Sequence, residues 1–175
     1  MSKYGIEIEF VSNNYYKVLE ILNSFGCIVT FDGRYGNSNE LILKPEATVK
    51  GCELNIPPNF NRLEELCEAL KPYVQFTERC AMHIHVDSEG IDLDKLNNYY
   101  IEHENQIISR AGNRYVDLNY SNSKVLTCRR KNMNIALSNM KHGTVEHRIY
   151  KATFNYNDVM FAVEQTLSII EESQK

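Results

Sequence analysis

No stretch of this chain approaches the roughly 20 consecutive apolar residues that a membrane-spanning helix requires, and the N-terminal "MSKYGIEIEF" lacks the apolar block of a secretory signal. Nor is there an excess of positive charge. The formal net charge of −4 predicts no general attraction to nucleic acid or anionic lipid. The cysteines (Cys27, Cys52, Cys67, Cys80 and Cys128) are odd in number and contain no CxxC pair, which argues against a disulfide framework or a cysteine zinc site and for reduced thiols. Tryptophan is absent, and there is neither a repeat nor a linker. What remains is ordinary globular material. With 175 residues, 43% of them hydrophobic, the chain can bury one proper core and is not disordered wholesale. The expectation is a soluble cytoplasmic protein with one domain over residues 1–175. The small, tryptophan-free, Asn- and Tyr-rich composition would suit a bacteriophage or mobile-element gene.

Hydropathy periods divide the chain further. "YGIEIEFV" alternates as a strand does, with Ile6, Ile8 and Phe10 opposite Glu7 and Glu9. "YYKVLEILNSF" carries Tyr15, Val18, Leu19, Leu22 and Phe25 at helical spacing and stops at Gly26. "CIVTF" reads as a strand closed by the turn-rich "DGRYGNSN", and "ELILKPEATVKGCELNI" as two short strands broken at Pro45 and around Gly51. "NRLEELCEALKPY" is a helix with Asn61 as its cap and Leu63, Leu66, Cys67 and Leu70 as its stripe. After the strand "MHIHV", a helix begins near Asp92 or Asp94 and runs to Arg110, burying Leu96, Tyr99, Tyr100, His103 and Ile107. The polar segment 111–131 is a candidate mobile lid or acceptor loop, or an ordinary solvated one. "NMNIALS" and "TVEHRIYK" read as a strand pair joined by "NMKHG". A last helix, capped by Asn157, turns Val159 or Met160, Val163, Leu167 and Ile170 inward. Closely spaced strands among helices favour an α+β fold over a parallel sheet.

Three pairs of ionisable residues then share one spacing. In "RCAMHIHVD", His83 and His85 flank Ile84. Residues i and i+2 of a strand face the same way, so both imidazoles project together while Met82, Ile84 and Val86 face a core. Glu7 and Glu9 flank Ile8, and Glu146 and Arg148 flank His147, which points the other way with Val145 and Ile149. Any single pair reads as surface decoration. Three on strands that share a sheet make a face of carboxylates, imidazoles and a guanidinium, whose burial without partners costs several kcal/mol per charge. A divalent cation reverses that balance: carboxylates suit magnesium or manganese, and imidazole extends the range toward transition metals. Arg148 suits a phosphate or a carboxylate through its planar fork. The constellation reads as metal and phosphate chemistry.

"YGIEIEF", "CELNIPP", "CAMHIHVD", "ISRAGNRYVDLN" and "GTVEHRIYKATFNYNDVMFAVEQTL", in that order, resemble the amidoligase family, a compact branch of the glutamine synthetase and glutamate–cysteine ligase superfamily. The resemblance spans most of the chain, and "MHIHVD" and "TVEHRIYKAT" are its most specific parts. It implies a cupped, mostly antiparallel sheet backed by helices, glutamine synthetase-like, holding ATP and Mg2+, with Mn2+ as a substitute. It also implies an enzyme joining a carboxylate-bearing to an amine-bearing substrate, such as a peptide or cell-wall peptide, through an acyl phosphate. By the same resemblance Glu7, Glu9, Glu53, His83 and Glu146 match metal ligands. His85 matches a neighbour of the nucleotide phosphates, Arg148 the arginine that stabilises the transferred phosphoryl group, and Arg110 a phosphate or carboxylate contact. Asp32 falls at a rim turn and, like Glu40 and Glu46, is a candidate base for the amine proton. Departures lie mainly on the rim: Ala81 stands where glycine is common, "NIPP" replaces a serine-proline wording, and "DGRYG" lacks a serine after Gly33.

Two other readings compete. A single-strand DNA nuclease of the HUH class uses His–hydrophobic–His for a metal and a helix tyrosine, here Tyr99 or Tyr100, as nucleophile. It has no use for Glu7 and Glu9 or for "VEHR", and it expects a basic surface. The other is a catalytically inactive binding module of the ligase fold.

Overall fold

The computed structural model describes residues 4–12, 14–26, 50–56, 60–76, 80–111, 137–139 and 143–175. These form β1 (Tyr4–Ser12), α1 (Tyr15–Ser24), β2 (Lys50–Ile56), α2 (Leu63–Leu70) with a 3₁₀ turn at Lys71–Tyr73, and β3 (Ala81–Asp87). There follow α3 (Leu93–Glu102), α4 (Glu104–Ala111), β4 (Leu137–Asn139), β5 (Thr144–Lys151) and α5 (Tyr156–Ser173). Helices and strands are therefore mixed. The hydrogen-bonded strand order is β2-β1-β3-β5-β4. β1 pairs antiparallel with β2, with Glu9 opposite Glu53, and β4 pairs antiparallel with β5, with Ser138 opposite Glu146. No helix among the described residues is long and apolar enough to cross a membrane.

The chain divides into two compact units, and the division runs through β3 and α5. One comprises residues 5–82 and 152–160. Its core is built as the alternation of β1 predicts: Ile6, Ile8 and Phe10 are buried, and Phe10 meets Phe154 edge to face at 5.3 Å. α1 packs on α2, whose stripe of Leu63, Leu66, Cys67 and Leu70 is buried throughout. Val11 and Gln75 exchange backbone hydrogen bonds of 2.9 and 2.8 Å, and Ser12 Oγ donates to the Tyr73 carbonyl at 2.7 Å, tying the 3₁₀ turn to β1. Burial pushes the Cys67 thiol up to about 12.

The other unit comprises residues 1–4, 83–151 and 161–175. Ile84, Val86, Leu96, Ile107, Val145, Ile149, Val163 and Ile170 are buried in it. Asp92 caps α3 by accepting from the amides of Asp94 and Lys95 at 3.1 Å each. The Gln174 side chain in turn accepts from the Asp92 amide at 2.8 Å, pinning the end of α5 to the start of α3.

Several local expectations need correction. One helix was expected from Asp92 to Arg110; two are found, because His103 turns the chain (φ −110°, ψ 14°) and its ring Nδ1 lies 3.0 Å from the Tyr99 carbonyl. Tyr99 and His103 are accordingly half-buried, stacked with ring centroids 4.1 Å apart. In α1 the inward face takes Ile21, leaving Leu19 and Phe25 half-buried. β2 runs through Gly51, which pairs with Val11 and does not break the strand. α2 starts after Arg62 with no side-chain cap, so Asn61 lies one residue too early; Arg62 binds Glu65 in the first turn instead. α5 begins at Tyr156, and the side chain of Asn155, not of Asn157, accepts its first amides. Thr166 replaces Leu167 on its buried face. The expected strand "CIVTF", its following loop, the strand before Lys50 and residues 112–131 lie outside the described residues.

Candidate metal centre

The local sequence explains why charged side chains end up inside. β3 and β5 each alternate apolar residues on one face with ionisable ones on the other, and the apolar faces, Ile84 with Val86 and Val145 with Ile149, are fully buried. Alternation gathers the ionisable residues on the opposite face, and what covers that face decides their burial. Within the unit that holds residues 83–151, Glu146 is 1% exposed, and its Oε1 is the centre of a group. Arg148 Nη1 donates to it at 2.6 Å, His83 Nδ1 lies 3.2 Å away and His85 Nε2 3.9 Å away. A carboxylate at this depth is stable only with charge partners and hydrogen bonds around it. The arginine contact is of the short, charge-assisted kind. Arg148 Nε is also buried and has no hydrogen-bond partner among the described residues, an open donor beside the group.

In the unit that holds residues 5–82, Glu7 is 6% exposed, and the half-buried Glu9 accepts from the Ala81 amide at 2.9 Å, which orients its carboxylate. Glu7 and Glu9 in this unit, and His83, His85 and Glu146 in the other, carry carboxylate and imidazole atoms of the kind that ligate metals. This largely buried group of carboxylates and imidazoles could hold a metal ion. Its oxygen-rich donor set with imidazole matches a hard or borderline divalent cation, and no cysteine among the described residues takes part.

Of the other residues singled out from sequence, Glu53 stands on β2 across from Glu9, and its side chain lies outside the described residues. Arg110 belongs to the last turn of α4, its side chain likewise outside them. Asp32, Glu40 and Glu46 lie outside altogether. Tyr100, a candidate nucleophile in the nuclease reading, is 4% exposed, with its hydroxyl 2.6 Å from His147 Nδ1. Tyr99 bonds Glu172 through its hydroxyl.

The residue that sequence reasoning passed over is His147. It is wholly buried, and burial, aided by the neighbouring His85 and opposed by Glu146, lowers its pKa to about 3, so it is neutral at pH 7. Burial alike holds the Tyr100 hydroxyl well above its ordinary value, with Tyr150 adding to the shift. One signal was present. His147 alternates with Val145 and Ile149 on an apolar face, where an imidazole needs a partner, and Tyr100 stands on the inward stripe of its helix with Leu96.

No family model matches the sequence, and no curated protein or solved structure matches it either.

Proposed function

We propose that the chain is an ATP-dependent carboxylate–amine ligase of the amidoligase type, with a glutamine synthetase-like cupped sheet. The observation that carries the reading is the surroundings of Glu146: a buried carboxylate drawing together two imidazoles and a guanidinium whose Nε has no partner among the described residues. Hard oxygens and imidazole fit Mg2+ or Mn2+, and the open arginine donor fits a phosphoryl or carboxylate oxygen. Glu7, Glu9, Glu53, His83 and Glu146 would hold the metal, with His85, Arg110 and Arg148 toward the phosphates. Bound there, Mg-ATP would supply the phosphoryl group that activates a substrate carboxylate for attack by an amine. The chain's own part is electrostatic. Glu146 fixes the plane of the Arg148 guanidinium through Nη1, and the remaining donors of the fork stay aimed where negative charge gathers. The motif resemblance names the reaction; the residues around Glu146 support the metal and phosphate half of it.

The nuclease reading is weaker. The hydroxyls it needs as nucleophiles are engaged elsewhere, Tyr100 with His147 and Tyr99 with Glu172. The reading is tested by calorimetric titration of Mg-ATP into wild type and Glu146→Gln. Saturable, magnesium-dependent binding by wild type that is lost in the variant is expected, together with ADP release on adding a carboxylate and an amine. Binding without turnover over a broad substrate set would indicate the inactive binding module. No nucleotide binding by folded wild type would refute the proposal.

A further inference from the structure

β5 carries two residues of the candidate site, Glu146 and Arg148, and the residue between them faces the helices. Most of the contact on that face is apolar. Val145 and Ile149 are buried, as are Leu96 of α3 and Ile107 of α4, and α4 packs on β5. The hydrophobic effect has no direction, so by itself it orients one element on another less sharply than a hydrogen bond does. A hydrogen bond between buried groups weakens steeply once its distance or angle departs from a narrow range. Beside its backbone pairing in the sheet, β5 is tied to the helices, among the described residues, by two side-chain hydrogen bonds: Tyr100 Oη with His147 Nδ1 at 2.6 Å, and Tyr150 Oη with Thr166 Oγ1 at 2.8 Å. The first sits at the residue flanked by Glu146 and Arg148. Tyr100 is 4% and His147 0% exposed, and the rings meet at 5.6 Å. The pair is also not the cheapest way to fill this space. His147 Nε2 is buried with no hydrogen-bond partner among the described residues, a cost that an aliphatic side chain would avoid.

We infer that the Tyr100–His147 pair is a positioning device: it sets the depth and rotation of β5 so that the Glu146 carboxylate and the Arg148 guanidinium reach the metal centre. The inference rests on the reading of that centre as a metal site. Tyr100 and His147 are positioning residues, acting through the strand and touching no ligand. Their place is comparable to the outer partners that orient metal ligands elsewhere, one covalent step further out.

The test separates positioning from stability. Mn2+ affinity is measured by electron paramagnetic resonance of the free ion for wild type, Tyr100→Phe and Tyr100→Phe/His147→Leu, beside urea unfolding of each. Tyr100→Phe leaves Nδ1 buried without its partner and lowers stability. The double variant removes both polar partners and recovers it. If the pair positions β5, Mn2+ affinity falls about tenfold in both variants, the low end for outer partners of metal ligands, and stays low in the double variant although stability has returned. Affinity that returns to the wild-type value with stability overturns the inference, because the pair is then only structural. Should the single variant fail to fold, the double variant decides by the same comparison. Absence of Mn2+ binding by folded wild type overturns the metal-site reading along with this inference. Wild-type binding with an unaltered double variant overturns this inference alone.

Discussion

His147 makes a prediction about pH that can be worked through from the structure. The unfolded chain protonates this imidazole below about 6.5, the ordinary histidine value, whereas the folded chain resists protonation until about 3. Between those values the unfolded state binds the extra proton, so the contribution favours folding at neutral pH and is lost as pH falls through the window. The slope is about 1.4 kcal/mol per pH unit, and the loss reaches about 2 kcal/mol at pH 5. Carboxylates and imidazoles elsewhere in the chain also contribute over this range. The quantity to follow is therefore the difference between wild type and His147→Leu, in which shared terms cancel. Urea unfolding from pH 4 to pH 8, in a chelating buffer so that metal binding adds no proton linkage, gives that difference directly. The expected result is a gap that is constant above pH 7 and moves against wild type by about 3 kcal/mol on reaching pH 4. A gap that is flat to within about half a kcal/mol over this range would show that His147 takes its proton as easily folded as unfolded, and the argument from burial would fail.

The cap of α5 offers a local check. Asn155→Ala should cost about 1 kcal/mol of stability in chemical unfolding, whereas Asn157→Ala should leave it nearly unchanged; the reverse order would mean that the helix starts later than described. Thiol reactivity is a second. At pH 8 the Cys67 thiol, buried and pushed up to about 12, should be alkylated in the native protein only as fast as the chain unfolds, while the half-buried Cys80 reacts sooner. Mass mapping of labelled peptides that finds Cys67 modified first would contradict its burial.

Much of the local structure was legible because it follows from period. β1, β3 and β5 could be read from two-residue alternation, α2 from a stripe at positions 63, 66, 67 and 70 that is buried as expected. Misreadings fell at ends and interruptions. The break at His103 depends on an imidazole reaching the Tyr99 carbonyl, a choice that hydropathy does not record. Asn155 and Asn157 are equally good caps by type, and only the backbone path distinguishes them. Gly51 looked like a strand break because glycine weakens strands in general; pairing with Val11 outweighs that weakness.

The candidate site divides along the same line. By itself the sequence determined that Glu7 with Glu9, His83 with His85, and Glu146 with Arg148 would each share a face, because the side-chain period of a strand is two whatever surrounds it. It also determined that the intervening apolar residues would be driven inward. Which oxygen gathers the neighbours, Glu146 Oε1 with Arg148 at 2.6 Å and His83 at 3.2 Å, was decided by tertiary structure. The partner of His147 was decided there too, since residues 47 apart in the chain meet only when a helix packs on a strand. Alternation is local and survives any packing. Pairing across elements is set by the depth and rotation at which helix and sheet fit, and no single segment carries that information.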